Sequence, residues 1–146
     1  MRYRSNMEAK IELIDGGIMP TKAHACDAAW DCYARLVEYD EKHDVTRCYL
    51  GFKYEIPEGW YIDIRPRSSI YKQGLILCNS PGTCDASYRG EVTVNFYAAN
   101  DNFTDPSIGD RVCQMMIKKI EDVTLVEGTV NMNTVRGENG FGSTGI

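Results

Sequence analysis

Asp85 and Tyr88 stand three residues apart in Asn79-Ser-Pro-Gly-Thr-Cys-Asp-Ala-Ser-Tyr-Arg-Gly90. A carboxylate can take a proton from an attacking water, and an aromatic ring can pack against a flat or ring-shaped ligand. Both lie in a segment punctuated by Pro81-Gly82 and Gly90, between apolar runs at residues 75–78 and 91–98. Pro fixes φ and Gly admits φ > 0 and close backbone approach, so residues 79–90 read as a hairpin whose shape matters. The competing reading is a solvated hairpin tip with an ordinary surface Asp.

Other segments carry compatible chemistry. Pro66-Arg67-Ser68-Ser69 follows a strand-like run and opens the one helical stretch, residues 68–74, with Gly74 just past its end. Free N–H groups, two hydroxyls and a guanidinium fork suit a phosphate; plain capping of the helix by Ser68 or Ser69 is the alternative. Asp31 lies among small and apolar residues in Ala28-Ala-Trp-Asp-Cys-Tyr-Ala34. Gly109-Asp-Arg-Val-Cys-Gln114 leads a turn into an apolar run, where Gln114 must find partners; Asp110 and Arg111 pair with each other or face water. The tail Arg136-Gly-Glu-Asn-Gly-Phe-Gly-Ser-Thr-Gly145 partly imitates a P-loop but lacks its Lys, and only Ile146 follows. That excludes a P-loop nucleotidase. Arg136, Phe141, Ser143 and Thr144 would still let a flexible arm close over a phosphorylated aromatic ligand, unless the tail is a disordered polar terminus.

The elements that must position these groups are strands. Cys48, Leu50, Phe52, Tyr54 and Ile56 alternate with polar or small residues and predict one half-buried strand over 48–56. Trp60, Ile62 and Ile64 alternate with Tyr61, Asp63 and Arg65, and Val92, Val94, Phe96 and Ala98 with Glu91, Thr93, Asn95 and Tyr97. Residues 112–117 predict a strand covered on both faces; residues 9–13 and 123–127 are further strand candidates. Short, evenly spaced strands with one short helix predict an all-β sandwich or barrel. One domain, residues 1–134, is followed by a mobile Gly-rich C-terminal arm, residues 135–146.

Composition narrows the function. The chain has 146 residues, enough for one core, with 43% hydrophobic and 25% charged residues as in ordinary globular proteins. A net charge of −5 argues against direct nucleic-acid binding but not against one anionic ligand held by a few Arg residues. No apolar run approaches the ~20 residues of a membrane span, and residues 5–10 supply no signal-peptide core, so a cytosolic protein is expected. The six cysteines lack C-x-x-C spacing and read as reduced, mostly buried thiols rather than zinc ligands.

Taken in order, the segments around Asp31, Pro66–Ser69, Gly82–Gly90, Gly109–Gln114 and Arg136–Gly145 resemble the five motifs of the trimeric dUTPase family, spanning residues 23–145. The resemblance implies Mg²⁺-dependent hydrolysis of dUTP to dUMP and pyrophosphate, which limits uracil in DNA and supplies dUMP for thymidylate synthesis. It also implies a jelly-roll-like β-barrel or sandwich fold and a homotrimer whose active sites are shared, with phosphate groups, hairpin and arm coming from different subunits.

Carried over to this chain, the resemblance makes Asp85 the general base and sets Tyr88 under the deoxyribose, where a 2′-hydroxyl has no room. Asn79, Gly82, Thr83, Cys84 and Thr93 read the uracil edge. Arg67, Ser68 and Ser69 hold phosphate oxygens, and Gln114 helps place the phosphates or the water. Asp31 reaches Mg²⁺ only through water, since the triphosphate supplies most other ligands. On the arm, Phe141 stacks on uracil and Arg136, Gly142, Ser143 and Thr144 engage the ligand. Ser69, Cys84 and Ser87 depart from the usual Gly, aliphatic residue and second acid, and Trp30 precedes Asp31; none removes a group assigned to chemistry. A dCTP deaminase or bifunctional relative is the runner-up, disfavoured by the tail and the Asp-x-x-Tyr hairpin. A nucleotide-gated regulator without catalysis and an unrelated β-sandwich binding protein are the remaining readings.

Overall fold

The computed structural model describes residues 7–143 and 145. Ten strands are arranged in two four-stranded sheets and a two-stranded ribbon, every pair antiparallel. In chain order they are β1 Lys10–Leu13, β2 Trp30–Tyr33, β3 Leu36–Asp40, β4 Val45–Tyr49, β5 Phe52–Glu55, β6 Trp60–Arg65, β7 Leu75–Leu77, β8 Gly82–Cys84, β9 Thr93–Ala98 and β10 Arg111–Lys119. One sheet has the order β2-β10-β6-β8 and the other β3-β4-β9-β7, while β1 pairs with β5. The architecture is a jelly-roll-like sandwich rather than a closed barrel. Phe52, Phe96, Leu50, Ile62 and Val112 fill its core together with the thiols of Cys32, Cys48 and Cys113.

Side-chain alternation explains most of this. Ile62 and Ile64 of β6 and Val94 and Phe96 of β9 all face inward, as period-two spacing requires. β10 lies between β2 and β6; of its apolar run Val112, Cys113 and Met115 are buried, Val112 and Cys113 in succession at a register shift against β2, while Met116 and Ile117 are half-buried. The predicted strand over 48–56 is in fact two strands, broken at Leu50-Gly51. The buried set keeps its even parity through Ile56, but β4 pairs with β3 and β9 whereas β5 pairs with β1. Gly51 makes the break with φ +75°, and a Cβ there would lie 2.6 Å from the Cα of Gly17. Only two glycines can approach so closely.

One further expectation needs correcting, and two others are refined by the structure. Residues 123–127 form no strand: Val123, Leu125 and Val126 are exposed and unpaired among the described residues, because alternation without an edge to pair against makes no ladder. The helix is one 3₁₀ turn, Ile70–Gln73, closed by Gly74 at φ +67°. Asp63, placed on a solvated face by alternation, is only 5% exposed. Its Oδ2 accepts from Arg65 at 3.1 Å and Lys118 at 3.0 Å, while Oδ1 finds no partner among the described residues. Burial pushes this carboxyl up, yet the two cations outweigh it and hold it below the ordinary aspartate value.

All six cysteines are free; Cys32, Cys48 and Cys113 are buried and Cys26 is exposed. None of the helical turns is long and apolar enough to cross a membrane.

Candidate functional site

The expected hairpin exists, with an addition. β7 and β9 pair as its two arms, Leu75 opposite Ala98 and Leu77 opposite Phe96. Between them, however, β8 leaves that sheet and docks on β6 of the other, with Gly82 opposite Ile64 and Cys84 opposite Ile62. The connection therefore bridges both sheets at the open edge of the sandwich. There it encloses a cavity of about 240 Å³ with a floor of Ile64, Leu77, Val92 and Val94. Asn79, Thr83, Asp85, Tyr88, Thr93 and Asn95 supply its polar groups. Gly82 and Cys84 complete the wall, and a Cβ on Gly82 would come within 3.3 Å of the Asn79 carbonyl.

Of the residues assigned from sequence to base, sugar or water, Asn79, Gly82, Thr83, Cys84, Asp85, Tyr88 and Thr93 line this one cavity, whereas Gln114 and Phe141 do not. Ile64, Leu77, Val92, Val94 and Asn95 also line it and were missed. The aliphatic ones were legible only as core, and Asn95 only as an outward position of β9.

Hydrogen bonds to main-chain carbonyls hold the loop bearing Asp85. The buried Tyr54 hydroxyl donates to the Asp85 carbonyl at 2.5 Å. Arg89 Nη1 donates to the carbonyls of Ala86 at 2.6 Å and Tyr88 at 3.1 Å. Burial pushes the Tyr54 phenol well above its usual range, so it stays a donor at any working pH. Burial, with Asp85 adding, likewise raises the Cys84 thiol to about 11. Cys84 is thus a small neutral side chain in the cavity wall.

A second cluster forms where β2, β6 and β10 run side by side. Gln114 lies opposite both Asp31 of β2 and Arg65 of β6, and its Nε2 donates to the Pro66 carbonyl at 3.1 Å. Asp31 faces Arg67 at 3.6 Å and Arg111 at 3.8 Å. Arg111 therefore does not pair with Asp110, whose carboxylate accepts the Ser107 N–H instead. Strand register, invisible in the sequence, decides this. Ser69 occupies the cap position of the 3₁₀ turn but makes no side-chain capping bond, and the Ser68 hydroxyl has no hydrogen-bond partner among the described residues either. Both remain available to a ligand.

Among its described residues the arm makes no hydrogen bond or ion pair with either group. Arg136 Nε donates to the Asn139 carbonyl at 2.7 Å, Phe141 is fully exposed at φ +53°, and Gly142 has φ +77°. The Ser143 N–H donates to the Gly140 carbonyl. Thr144 lies outside the described residues. Among those described, no hydrogen bond or ion pair joins the cavity, the arginine cluster and the arm.

A family model of dUTPase matches residues 15–145. The deoxyuridine 5′-triphosphate nucleotidohydrolase of Fusobacterium nucleatum is 33% identical over 142 residues, covering 95% of this chain and 97% of that protein. That of Rhizobium rhizogenes is 44% identical over 97 residues, covering 66% of this chain and 62% of that protein. The match thus spans less than two thirds of the rhizobial protein's length. Among solved structures, the dUTPase of Staphylococcus bacteriophage 80alpha, a G164S mutant with dUpNHpp, superposes with a TM-score of 0.77 at 21% identity. That superposition covers 95% of this chain and 99% of the phage chain. The fold is therefore the dUTPase fold, and the chain belongs to the dUTPase family.

Proposed function

We propose that this protein hydrolyses dUTP to dUMP and pyrophosphate with Mg²⁺, in the cytosol, at sites shared by three copies. The observation that carries the reading is the bridging cavity, where Asp85, Tyr88 and Asn79 converge in a chain of this family. Asp85, on a loop held by Tyr54 and Arg89, takes the proton of a water attacking the α-phosphorus. Tyr88 packs under the deoxyribose and leaves no space for a 2′-hydroxyl. Asn79 and Thr93, with the main chain of Gly82, Thr83 and Cys84, pair with the uracil edge. A site built to hydrogen-bond one base edge rejects another edge strongly.

Arg67, Ser68, Ser69 and Gln114 bind phosphate oxygens, with Arg111 beside them. Mg²⁺ neutralises the triphosphate. The donor set suits a hydrated ion: Asp31 already faces two guanidinium groups, and the described residues contain no cluster of three His, Cys, Asp or Glu side chains able to hold a metal directly. Asp31 would touch the ion's waters. The phage 80alpha dUTPase binds dUpNHpp, and a phage phi11 dUTPase coordinates a structural Mg(II) ion. Both are in keeping with this reading.

Sharing among copies rests on what the single chain leaves open. Val123, Leu125, Val126, Val130, Met132 and Val135 are all exposed beyond β10. Such a run of exposed apolar side chains marks a surface that packs against another chain. Asp63 Oδ1 is a buried acceptor still wanting a donor. Phe141 of the arm then stacks on uracil, while Arg136, Gly142, Ser143 and Thr144 close over the phosphates of another copy's site.

The test is pyrophosphate release from dUTP, dCTP, dTTP and UTP with Mg²⁺. Turnover of dUTP alone is expected. Release of ammonia from dCTP would favour the bifunctional deaminase, and no turnover of any nucleotide would remove the enzyme reading.

A further inference from the structure

Tyr88 is set by three neighbours that are not part of any proposed substrate contact. Its ring lies across Gly90, where a Cβ would come within 2.4 Å of the phenol oxygen. Its hydroxyl donates to the Glu91 carbonyl at 3.0 Å, and its ring tilts against Tyr54 with centroids 6.3 Å apart. The Glu91 carbonyl also accepts from Thr93 Oγ1 at 3.3 Å. One main-chain oxygen thus anchors two side chains of the cavity.

The Glu91 side chain is in turn held from behind. Arg35 grips it with both prongs, Nε to Oε2 at 2.8 Å and Nη2 to Oε1 at 2.7 Å, and the Gly51 N–H donates to Oε2 at 2.8 Å. The side chains of this pair are only 23% and 15% exposed. A bidentate, partly buried fork fixes orientation as well as distance. Arg35 sits at the turn between β2 and β3, its N–H donating to the Tyr49 carbonyl, and its Cβ packs against the β4–β5 break at Gly51. The pair therefore ties the end of the hairpin to the corner of the sandwich at the β4–β5 break.

We infer that the Arg35–Glu91 ion pair positions Tyr88 and thereby sets how strictly the site rejects a 2′-hydroxyl. Neither residue touches the substrate; both act through the Glu91 carbonyl. The inference rests on the proposed contact of Tyr88 with deoxyribose. Loosening the pair lets the ring drift off Gly90, opening space beside C2′ and slackening Thr93 along with it. A ribose then costs less to admit.

The experiment compares kcat/KM for dUTP and UTP in the wild type, Arg35→Met, Arg35→Lys and Glu91→Gln, all as the full chain. Arg35→Met should lower the dUTP/UTP ratio about tenfold, mainly by raising kcat/KM for UTP. Arg35→Lys keeps the charge but loses the fork and should fall between, and it remains informative if Arg35→Met does not fold. Glu91→Gln keeps an acceptor for Gly51 and should lower the ratio about threefold. In parallel, fluorotyrosine NMR with the Tyr88 signal assigned by Tyr88→Phe should give one narrow line in the wild type and a shifted or broadened line in the Arg35 variants. An unchanged ratio with an unchanged Tyr88 line would leave the pair purely structural and overturn the inference. A moved Tyr88 line with an unchanged ratio would overturn its link to sugar choice. If the wild type does not turn over dUTP, the functional reading fails by itself, and the NMR line still decides whether the pair positions Tyr88.

Discussion

The hairpin cavity and the C-terminal arm hold groups for one proposed reaction in opposite states of preparation. Around the cavity every relevant loop carbonyl is tied down: Asp85 by Tyr54, Ala86 and Tyr88 by Arg89, Glu91 by Tyr88 and Thr93. On the arm, Phe141 touches nothing and Arg136 finds only a carbonyl three residues away. In the proposed reaction a cavity set before ligand arrives would place the base without a reorganisation cost. The arm would carry the adaptable groups, with their ordering entropy lost only on closing. The Asp31–Arg67–Arg111 cluster lies between these extremes: one carboxylate faces two guanidinium groups at 3.6–3.8 Å, which leaves positive charge in excess for an anion.

This contrast can be broken at several points. The largest effect is expected at the prepared end. Asp85→Asn should lower kcat by about 10²–10⁴-fold while leaving the dissociation constant for dUTP, measured by calorimetry, nearly unchanged. An active variant would move the base elsewhere. Removing residues 135–146 should cost on the order of 10²-fold in turnover through lost positioning, with the assembly intact by sedimentation. Loss of assembly would make the arm structural instead.

The smallest effect concerns the anchor behind the cavity. The fork of Arg35, opposed by burial and helped by the Gly51 N–H, holds the Glu91 carboxyl below the ordinary 4.5. The stability this adds is in place above about pH 4.5 and disappears as pH falls through the lowered value. Glu91→Gln should therefore lower Tm at pH 7, by roughly 2–4 °C per kcal/mol lost, and the gap from the wild type should close as pH falls through that lowered value. A gap independent of pH would assign the effect to packing.

How much of this was legible beforehand follows from which interactions are local. The period-two pattern reveals β6 and β9, the nearly continuous apolar run of residues 112–117 reveals β10, and the turn chemistry of residues 79–90 points to the candidate site. Gly51 splits a run whose alternation never falters, because the break is dictated by Gly17, distant in sequence. β8 was hidden since Gly82–Cys84 has no alternation of its own and exists through pairing with β6. Asp63 looked solvated, for two cations that bury it are brought in by register and not by sequence proximity alone. Residues 123–127 have strand character but meet no strand edge among the described residues, and alternation alone does not reveal that.

The central claim is that the prepared cavity and the unplaced arm work together only across copies. It is tested most directly by co-expressing two inactive chains, Asp85→Asn with its arm intact and the 135–146 deletion with Asp85 intact, and measuring dUTP hydrolysis of the mixed assembly. Sharing predicts activity well above either parent, because some sites combine a working hairpin with another chain's arm. Activity no greater than that of the two parents would mean that each arm closes over its own hairpin, and would contradict the account.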